Sequence, residues 1–286
     1  MTRVTGPSGE LRGLIERALA EDAPSGDLTT ELTIPQDADC TAELRAKVRG
    51  VLAGVAAAQA VFDVVASQDG RGPIQVEWHA RDGDPVGPGD VVAALSGPAR
   101  SILRAERVAV NLLAHLSGVA TLTSAFVRAA APARVLCTRK TTPGLRALER
   151  AAVLAGGGSL HRASLSDAVL VKDNHLRVAG SLAEAVRRAK VGGVPVEVEV
   201  ESIAELREAL AAGSDQVLLD NPTPELVRQA IDVIGDPERL EVSGGITLDS
   251  VPSLVAAGAR VISVGRITHS APSLDLSLEV TRAGQL

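Results

Sequence analysis

PVEVEVESIAELREALAAGSDQVLLDN, residues 195–221, sets the architecture of the larger part of this chain. Pro195–Val200 and Asp215–Asp220 are short apolar runs that end in polar residues, and Ser202–Ala212 between them reads as a helix. Strand, helix and strand in that order indicate parallel strands joined by a crossover helix. The pattern extends in both directions. Further apolar runs lie at Arg134–Thr138, Asp167–Lys172, Arg239–Ser243 and Arg260–Gly265. Further helices are expected at Pro143–Leu154, Ser181–Lys190, Thr223–Ile234 and Leu248–Ala257. Such a series fits a barrel better than an open nucleotide-binding sheet, because no GxGxxG opens its first unit.

Polar residues collect where these runs end. Arg139 and Lys140 follow the first run, Lys172 closes the second and Asp220 closes the fourth. Glu197, Glu199 and Glu201 alternate along the third and so point to one side. Ser243-Gly244-Gly245 ends the fifth run and Gly265 the sixth. Charges at the carboxyl ends of barrel strands read as catalytic, and glycine turns after the last strands as a phosphate site. Solvent exposure at strand ends explains one or two such charges, but not charges after four successive strands with two glycine turns.

The stretch Cys137–His175 is the cationic centre. It holds Arg139, Lys140, Arg146, Arg150, His161, Arg162, Lys172 and His175 around Gly156-Gly157-Gly158, in a chain of net charge -6. A local cation cluster in an acidic protein suggests a pocket for a small polyanion. Lysine occurs only at 47, 140, 172 and 190, against 29 basic residues, so Lys140 and Lys172 stand out in an arginine-rich chain. Arg146 and Arg150 are four apart and read equally well as a solvated helix face. Cys137 has no partner for nucleophilic work and reads as strand packing, His115 reads as packing in an apolar helix, and no His/Cys spacing suggests zinc.

Composition narrows the class. Hydrophobic residues make up 45% and aromatics 1%, so the core is aliphatic and base stacking on nucleic acid is disfavoured. Cys40 and Cys137 make no disulfide framework. The N-terminus lacks an apolar signal core, and no run long enough to span a membrane is evident. A soluble, cytoplasmic protein without nucleic-acid or membrane partners is expected.

The part before about residue 110 has α+β patterning without strict alternation. Helices are expected at Leu11–Ala20 and Ala56–Ala66, strands at Thr41–Arg49, Ile74–His79 and Val91–Leu95, and loops over 21–30 and 81–90. A long helix from Ala99 to about Ala131 joins the two parts, with Gly118 marking a bend or close packing.

EDAPSGDLTT (21–30), AERVAVNLLAHLSGVAT (105–121), TRKTTPGLRALE (138–149), GGGSLHR (156–162), LVKDNH (170–175), VEVEVES (196–202), LLDN (218–221), SGGI (243–246) and SVGRITHSAPSLDLSLE (263–279) together resemble the quinolinate phosphoribosyltransferase family. TRKTTPGLR with KDNH is the specific pair. The resemblance implies an α/β fold: an N-terminal α/β sandwich domain over 1–110, to which 271–286 can return, and a C-terminal open, incomplete TIM-like barrel over 111–270. It also implies a homodimer in which each N-terminal domain closes its partner's barrel. The implied reaction joins quinolinate to phosphoribosyl pyrophosphate with magnesium, giving nicotinate mononucleotide, pyrophosphate and carbon dioxide in NAD synthesis.

By the same resemblance, Arg139, Arg162 and Lys172 bind the two quinolinate carboxylates with His161 beside them, and Arg107 enters the partner's site. Lys140 faces the pyrophosphate or the dicarboxylate. Glu199 and Asp220 hold the ribose hydroxyls and magnesium, the metal largely through substrate and water. Ser243, Gly244, Gly245 and Gly265 offer backbone N–H groups to the ribose phosphate, with His269 nearby. Glu197 and Glu201 are expected as structural partners of the arginines, and Asp173 and Asn174 as caps of the next helix. The chain departs from the family pattern near Cys137, at Arg150-Ala151, at Leu160 and at Ser164, which bears on substrate identity. Two rivals remain: a paralogous transferase acting on another heterocycle, and a non-catalytic metabolite sensor on the same scaffold.

Overall fold

Cys40, Ala42, Leu44 and Ala46 alternate with polar neighbours, which gives a strand one buried face. The computed structural model describes residues 9–283. In chain order, the elements up to residue 98 are α1 (Gly9–Asp22), α2 (Leu28–Thr33), β1 (Asp39–Ala46), β2 (Gly50–Val51), α3 (Val55–Asp69), β3 (Gln75–Trp78), β4 (Pro85–Val86) and β5 (Val91–Pro98). Then come α4 (Ala99–Ala130), β6 (Arg134–Leu136), α5 (Arg146–Ala155), β7 (Val169–Val171), α6 (Asp173–Ala179), α7 (Leu182–Lys190), β8 (Val196–Val200) and α8 (Ile203–Ala211). The chain ends with β9 (Gln216–Asp220), α9 (Pro224–Ile234), β10 (Leu240–Ser243), α10 (Val251–Ala256), β11 (Val261–Ser263), α11 (Arg266–His269) and β12 (Leu276–Ala283).

The chain divides into two units. The first takes the residues up to Thr121 together with Pro143–Gly156 and the segment from Ala271, and the second takes Leu122–Thr142 and Gly157–Ser270. The division within α4 falls after Thr121 and not at the expected 110. The expected assignment of α5 to the barrel is corrected as well. Its Glu149 is fully buried and meets His115 of α4 within the first unit, Nε2 to Oε1 at 2.9 Å. His115 is thus the partner of a buried carboxylate and not packing alone.

In the first unit an antiparallel sheet runs β12-β1-β5-β3, beside a small β2-β4 ribbon. β12 lies against β1 with Leu44 opposite Leu278. The core is built from aliphatic side chains with a single fully buried ring, including Ile15, Leu44, Phe62, Val65, Ile102 and Leu113. The expected loop 21–30 gives way at its end to α2, because Asp27 caps it and accepts from the Thr30 N–H at 3.0 Å.

α4 is long and apolar enough to cross a membrane by length and composition. Here it is a core helix: Leu113, Leu116, Val119 and Phe126 are buried, and Ser117 accepts from the Ala53 N–H at 3.0 Å. Gly118 marks a close approach and not a bend. A methyl group at that position would collide with the Pro272 carbonyl oxygen and lie 3.0 Å from the Ser273 Cα. The Leu274 N–H donates to the Ala114 carbonyl at 2.9 Å, so the C-terminal segment is tied to this helix.

The second unit is one parallel sheet in the order β6-β11-β10-β9-β8-β7. Its strands and the helices α7 to α10 match the expected positions to within three residues, while α6 and α11 were not among the expected elements. Ser181, Ser202 and Thr223 cap α7, α8 and α9 through their hydroxyls. Residues from all six strands line one cavity: Arg134, Val169, Val196, Gln216, Glu241 and Val261. The sheet is therefore curled, and β6 and β7, its two edges, leave the barrel open.

Gly118→Ala tests the C-terminal docking. The helix-propensity gain of about 1 kcal/mol is outweighed by an overpacking cost of about 1–3 kcal/mol. Chemical denaturation is expected to show a net loss of stability; equal or higher stability would show that the C-terminal segment yields freely.

Candidate active site

Two glycine turns and a lysine build a concave surface at the carboxyl ends of β10 and β11. The pocket is about 420 Å3 and is lined by Thr138, Lys140, the 243–247 turn, Gly265, Arg266 and His269. Gly265 makes room for two basic side chains: a Cβ there would stand 3.2 Å from both the His269 Nε2 and the Lys140 Cδ. The Thr268 hydroxyl donates to the Lys140 carbonyl at 2.8 Å and fixes that residue's backbone. Backbone N–H groups in such turns, with a lysine at the rim, suit an anion.

Asn221 binds this turn to the neighbouring strand. It is the one non-glycine residue with positive φ among the described residues, at 50°. Its N–H donates to the Ser243 carbonyl at 2.8 Å, and its amide donates to the Asp220 Oδ2 at 2.6 Å. Gly244 has φ +88°, and a Cβ there would collide with the Asn221 amide oxygen. Asparagine tolerates the left-handed conformation because its short amide bonds locally. Asn221 was not singled out in the sequence, although the Asp-Asn-Pro step is a turn signal.

On β7 and β8 the chemistry is ionic. The Lys172 ammonium, half-exposed, pairs with the largely buried Glu199 carboxylate. The Lys172 N–H donates to the His175 Nδ1 at 2.9 Å, so Lys172 itself caps α6 in place of Asp173 or Asn174. Arg162 donates to the Ala168 carbonyl at 2.9 Å. Burial, and then the neighbouring Arg139 charge, weaken the hold of Arg162 on its proton, against the pull of Glu197 and Asp167. An arginine remains charged in any case, so two like charges stand close together in a partly dry place. An anion with two carboxylates or several phosphate oxygens relieves that repulsion.

Arg162 lines the cavity at the amino ends of the strands together with a buried group of three. The His161 Nε2 is 3.2 Å from the Glu197 Oε2 and 3.3 Å from the Glu241 Oε2, with both glutamates buried. The carboxylates, Glu197 most, pull the imidazole toward its charged form, up to about 10. The backbone opposes them. The Arg162 N–H donates to the His161 Nδ1 at 2.8 Å, so that nitrogen carries a lone pair and not a hydrogen. The ring placement thus corresponds to the tautomer with its hydrogen on Nε2. Burial pushes the Glu197 carboxyl up against the His161 hydrogen bond, with the Glu241 charge adding to the rise, so Glu197 can carry the proton that the ring does not.

The expected residues divide as follows. Lys140, Ser243, Gly244, Gly245, Gly265 and His269 line one pocket. Arg139 and Arg162 neighbour one another, Lys172 meets Glu199, and Asp220 lies beside the glycine turn. His161, expected beside the substrate, has both ring nitrogens engaged inside the barrel. Glu197 bonds this histidine and not an arginine side chain. Glu201 lies exposed past the end of β8, with no arginine partner among the described residues, and its N–H donates to the Glu205 carboxylate. Arg107 belongs to the first unit and is exposed near Glu106. Arg146 and Arg150 also belong to that unit. Among the departures from the family pattern, Cys137 is fully buried, Leu160 lines the cavity at the amino ends of the strands, and Ser164 bonds Asp167. The sequence reading missed Glu241, which sits within an apolar strand.

Three ligating side chains within reach of one ion, His161, Glu197 and Glu241, invite a metal reading. A histidine that binds metal through Nε2 donates its other N–H to an acceptor. Here Nδ1 faces a donor, so the trio does not fit a metal. Glu199 and Asp220, on the adjacent strands β8 and β9, are hard oxygen donors. Two carboxylates fit magnesium, which keeps waters and substrate oxygens in its shell.

The chain resembles known proteins over most of its length. The sequence profile of the quinolinate phosphoribosyl transferase C-terminal domain matches residues 119–279, and that of the N-terminal domain matches residues 27–117. A probable nicotinate-nucleotide pyrophosphorylase [carboxylating] of Bacillus subtilis is 41% identical over 96% of this chain and 95% of its own length. One from Archaeoglobus fulgidus is 43% identical over 90% and 99%. The solved nicotinate-nucleotide pyrophosphorylase of Francisella tularensis superposes with a TM-score of 0.88 at 38% identity, covering 97% of this chain and 98% of its own.

Gly244→Ala tests the clamp on the glycine turn. Gly235, at φ +76° with open space around it, supplies the control for backbone strain alone. Gly235→Ala is expected to cost about 1 kcal/mol, and Gly244→Ala more, because a collision adds to the strain. Equal losses in denaturant unfolding would remove Asn221 from the account.

Proposed function

This chain belongs to the quinolinate phosphoribosyltransferase family, and on that premise we propose that it makes nicotinate mononucleotide for NAD synthesis. The substrates are quinolinate and phosphoribosyl pyrophosphate, and the other products are pyrophosphate and carbon dioxide. The observation that carries this reading is the pairing of two chemistries in one barrel unit. Two neighbouring guanidinium groups suit a dicarboxylate, and glycine turns flanked by Lys140 and His269 suit a phosphate.

The chemistry follows from those placements. Arg139, Arg162 and Lys172 bind the two carboxylates and turn the ring nitrogen toward the anomeric carbon. That nitrogen bonds to the carbon as the C–O bond to pyrophosphate breaks, its electron pair leaving with pyrophosphate. Glu199 and Asp220 bind the ribose hydroxyls and face the positive charge that develops on the ribose. Lys140 meets the charge gathering on the leaving pyrophosphate. The 243–245 turn, Gly265 and His269 anchor the ribose phosphate, so positioning and electrostatics do most of the work. The carboxylate next to the now cationic ring nitrogen then departs as carbon dioxide. The electron pair left on the ring carbon is stabilised by the surrounding cations until it takes a proton. Glu199 and Asp220 would hold magnesium, which supplies charge neutralisation at the pyrophosphate when bound. The chain acts as a homodimer, with Arg107 completing the partner's site.

Purified protein given quinolinate, phosphoribosyl pyrophosphate and magnesium is expected to form nicotinate mononucleotide, read by mass spectrometry. Lys172→Ala is expected to lose at least about a hundredfold in turnover while staying folded; near wild-type turnover would remove Lys172 from the site. Arg107→Ala and Lys172→Ala subunits mixed into dimers are expected to recover about a quarter of wild-type activity, since one site per mixed dimer is intact. No recovery in verified mixed dimers would contradict a shared site.

A further inference from the structure

Glu241 is the least expected residue in the barrel. It occupies the second position of β10, between the fully buried Leu240 and Val242, and is itself 4% exposed. A buried carboxylate costs several kcal/mol unless it is bonded. Glu241 spends one oxygen on the His161 Nε2, as Glu197 does, while the Oε1 atoms of both glutamates have no hydrogen-bond partner. A burial so incompletely compensated calls for a role. The proposed reaction assigns none to Glu241, and the lone pair on the His161 Nδ1 excludes a metal.

The chain beyond His161 points to that role. Arg162 follows directly, and its N–H donates to the His161 ring. Its guanidinium returns to the Ala168 carbonyl, and Asp167 accepts from the Ala163 and Ser164 N–H groups at 2.7 and 3.0 Å. The segment 161–168 is thus closed upon itself. Its imidazole root reaches two strands that are not neighbours in the sheet, β8 and β10.

We propose that Glu197 and Glu241 are positioning residues that clamp the His161 ring between β8 and β10, and that the ring in turn fixes the backbone of Arg162 for carboxylate binding. The role of Arg162 in this chain of contacts rests on the function proposed above; the clamp itself does not. Removing a carboxylate from the clamp frees the root of the segment and displaces one of two guanidinium groups that already repel. The effect falls on the dicarboxylate and not on the phosphoribosyl donor, whose glycine turns lie after β10 and β11.

The test uses the full-length protein with Glu241→Leu, which keeps volume and removes the acceptor, and Glu241→Gln, which keeps an acceptor for the Nε2–H. Glu241→Leu is expected to raise the KM for quinolinate about tenfold or more, as misplacement of a binding group does, with the KM for phosphoribosyl pyrophosphate unchanged. Glu241→Gln is expected to restore most of the quinolinate KM. An unchanged quinolinate KM in Glu241→Leu, or both KM values moving together, would overturn the proposal, the latter showing a merely structural role. Glu197→Leu serves as the second variant should Glu241→Leu fail to fold. Nitrogen-15 spectra of the histidine rings read the clamp without turnover, with the His161 signal assigned from His161→Gln. The wild type is expected to show the Nε2–H tautomer at His161, perturbed in Glu241→Leu and retained in Glu241→Gln. A His161 ring carrying hydrogen on Nδ1, or one indifferent to Glu241, would overturn the clamp even in a protein that turns nothing over. The tautomer present in a protein without turnover would instead place the failure in the proposed function.

Discussion

Like charges held together against their repulsion are the constraint on which this site depends. Burial disfavours the charge of Arg162, and the neighbouring charge of Arg139 adds to the effect. Neither group can relieve it by losing a proton. The Ala168 carbonyl holds the Arg162 guanidinium, while the His161 ring and Asp167 hold the backbone at Arg162 and Ala163. Such a site is most stable when an anion with two acceptor groups occupies it, which makes it selective by electrostatics before any shape is considered.

The scaffold makes this arrangement possible by sending polar groups to the strand ends. Parallel strands buried on both faces are nearly all Val, Leu and Ile in their middles. Charge is then affordable mainly where a strand stops, and consecutive parallel strands stop at the same rim. Lys172, Asp220, Ser243 and the turn at Gly265 are all such endings. Glu197 and Glu241 are the exceptions. They lie one layer lower, and the barrel accommodates them by setting an imidazole between them.

The parallel sheet was readable from the sequence because its period changes from two to 3.6 at every unit, and each strand and the helices α7 to α10 were found within a few residues, though not the seven-residue α6. The placement of Lys140, Lys172, Asp220 and the glycine turns followed from those strand ends. What was missed had no period to reveal it. α2 has six residues and α11 four, too short for a helical repeat, and the pairing of β12 with β1 joins residues far apart in sequence. α5 reads like any crossover helix, and only the contact of Glu149 with His115 shows that it belongs to the first unit. Glu241 was passed over as part of an apolar run. The engagement of both His161 nitrogens and the positive φ of Asn221 are facts of three-dimensional geometry that spacing does not carry.

The central claim is that paired cations select a substrate with two adjacent carboxylates. Titration calorimetry of the purified protein with quinolinate and, separately, with nicotinate tests it most directly, since the two differ by one carboxylate. The account predicts that quinolinate binds at least about tenfold more tightly, as expected for the loss of one charge-assisted bidentate pair worth roughly 1.5–3 kcal/mol. It also predicts that the difference disappears in Arg162→Ala. Equal affinity for the two ligands in the wild-type protein would contradict it.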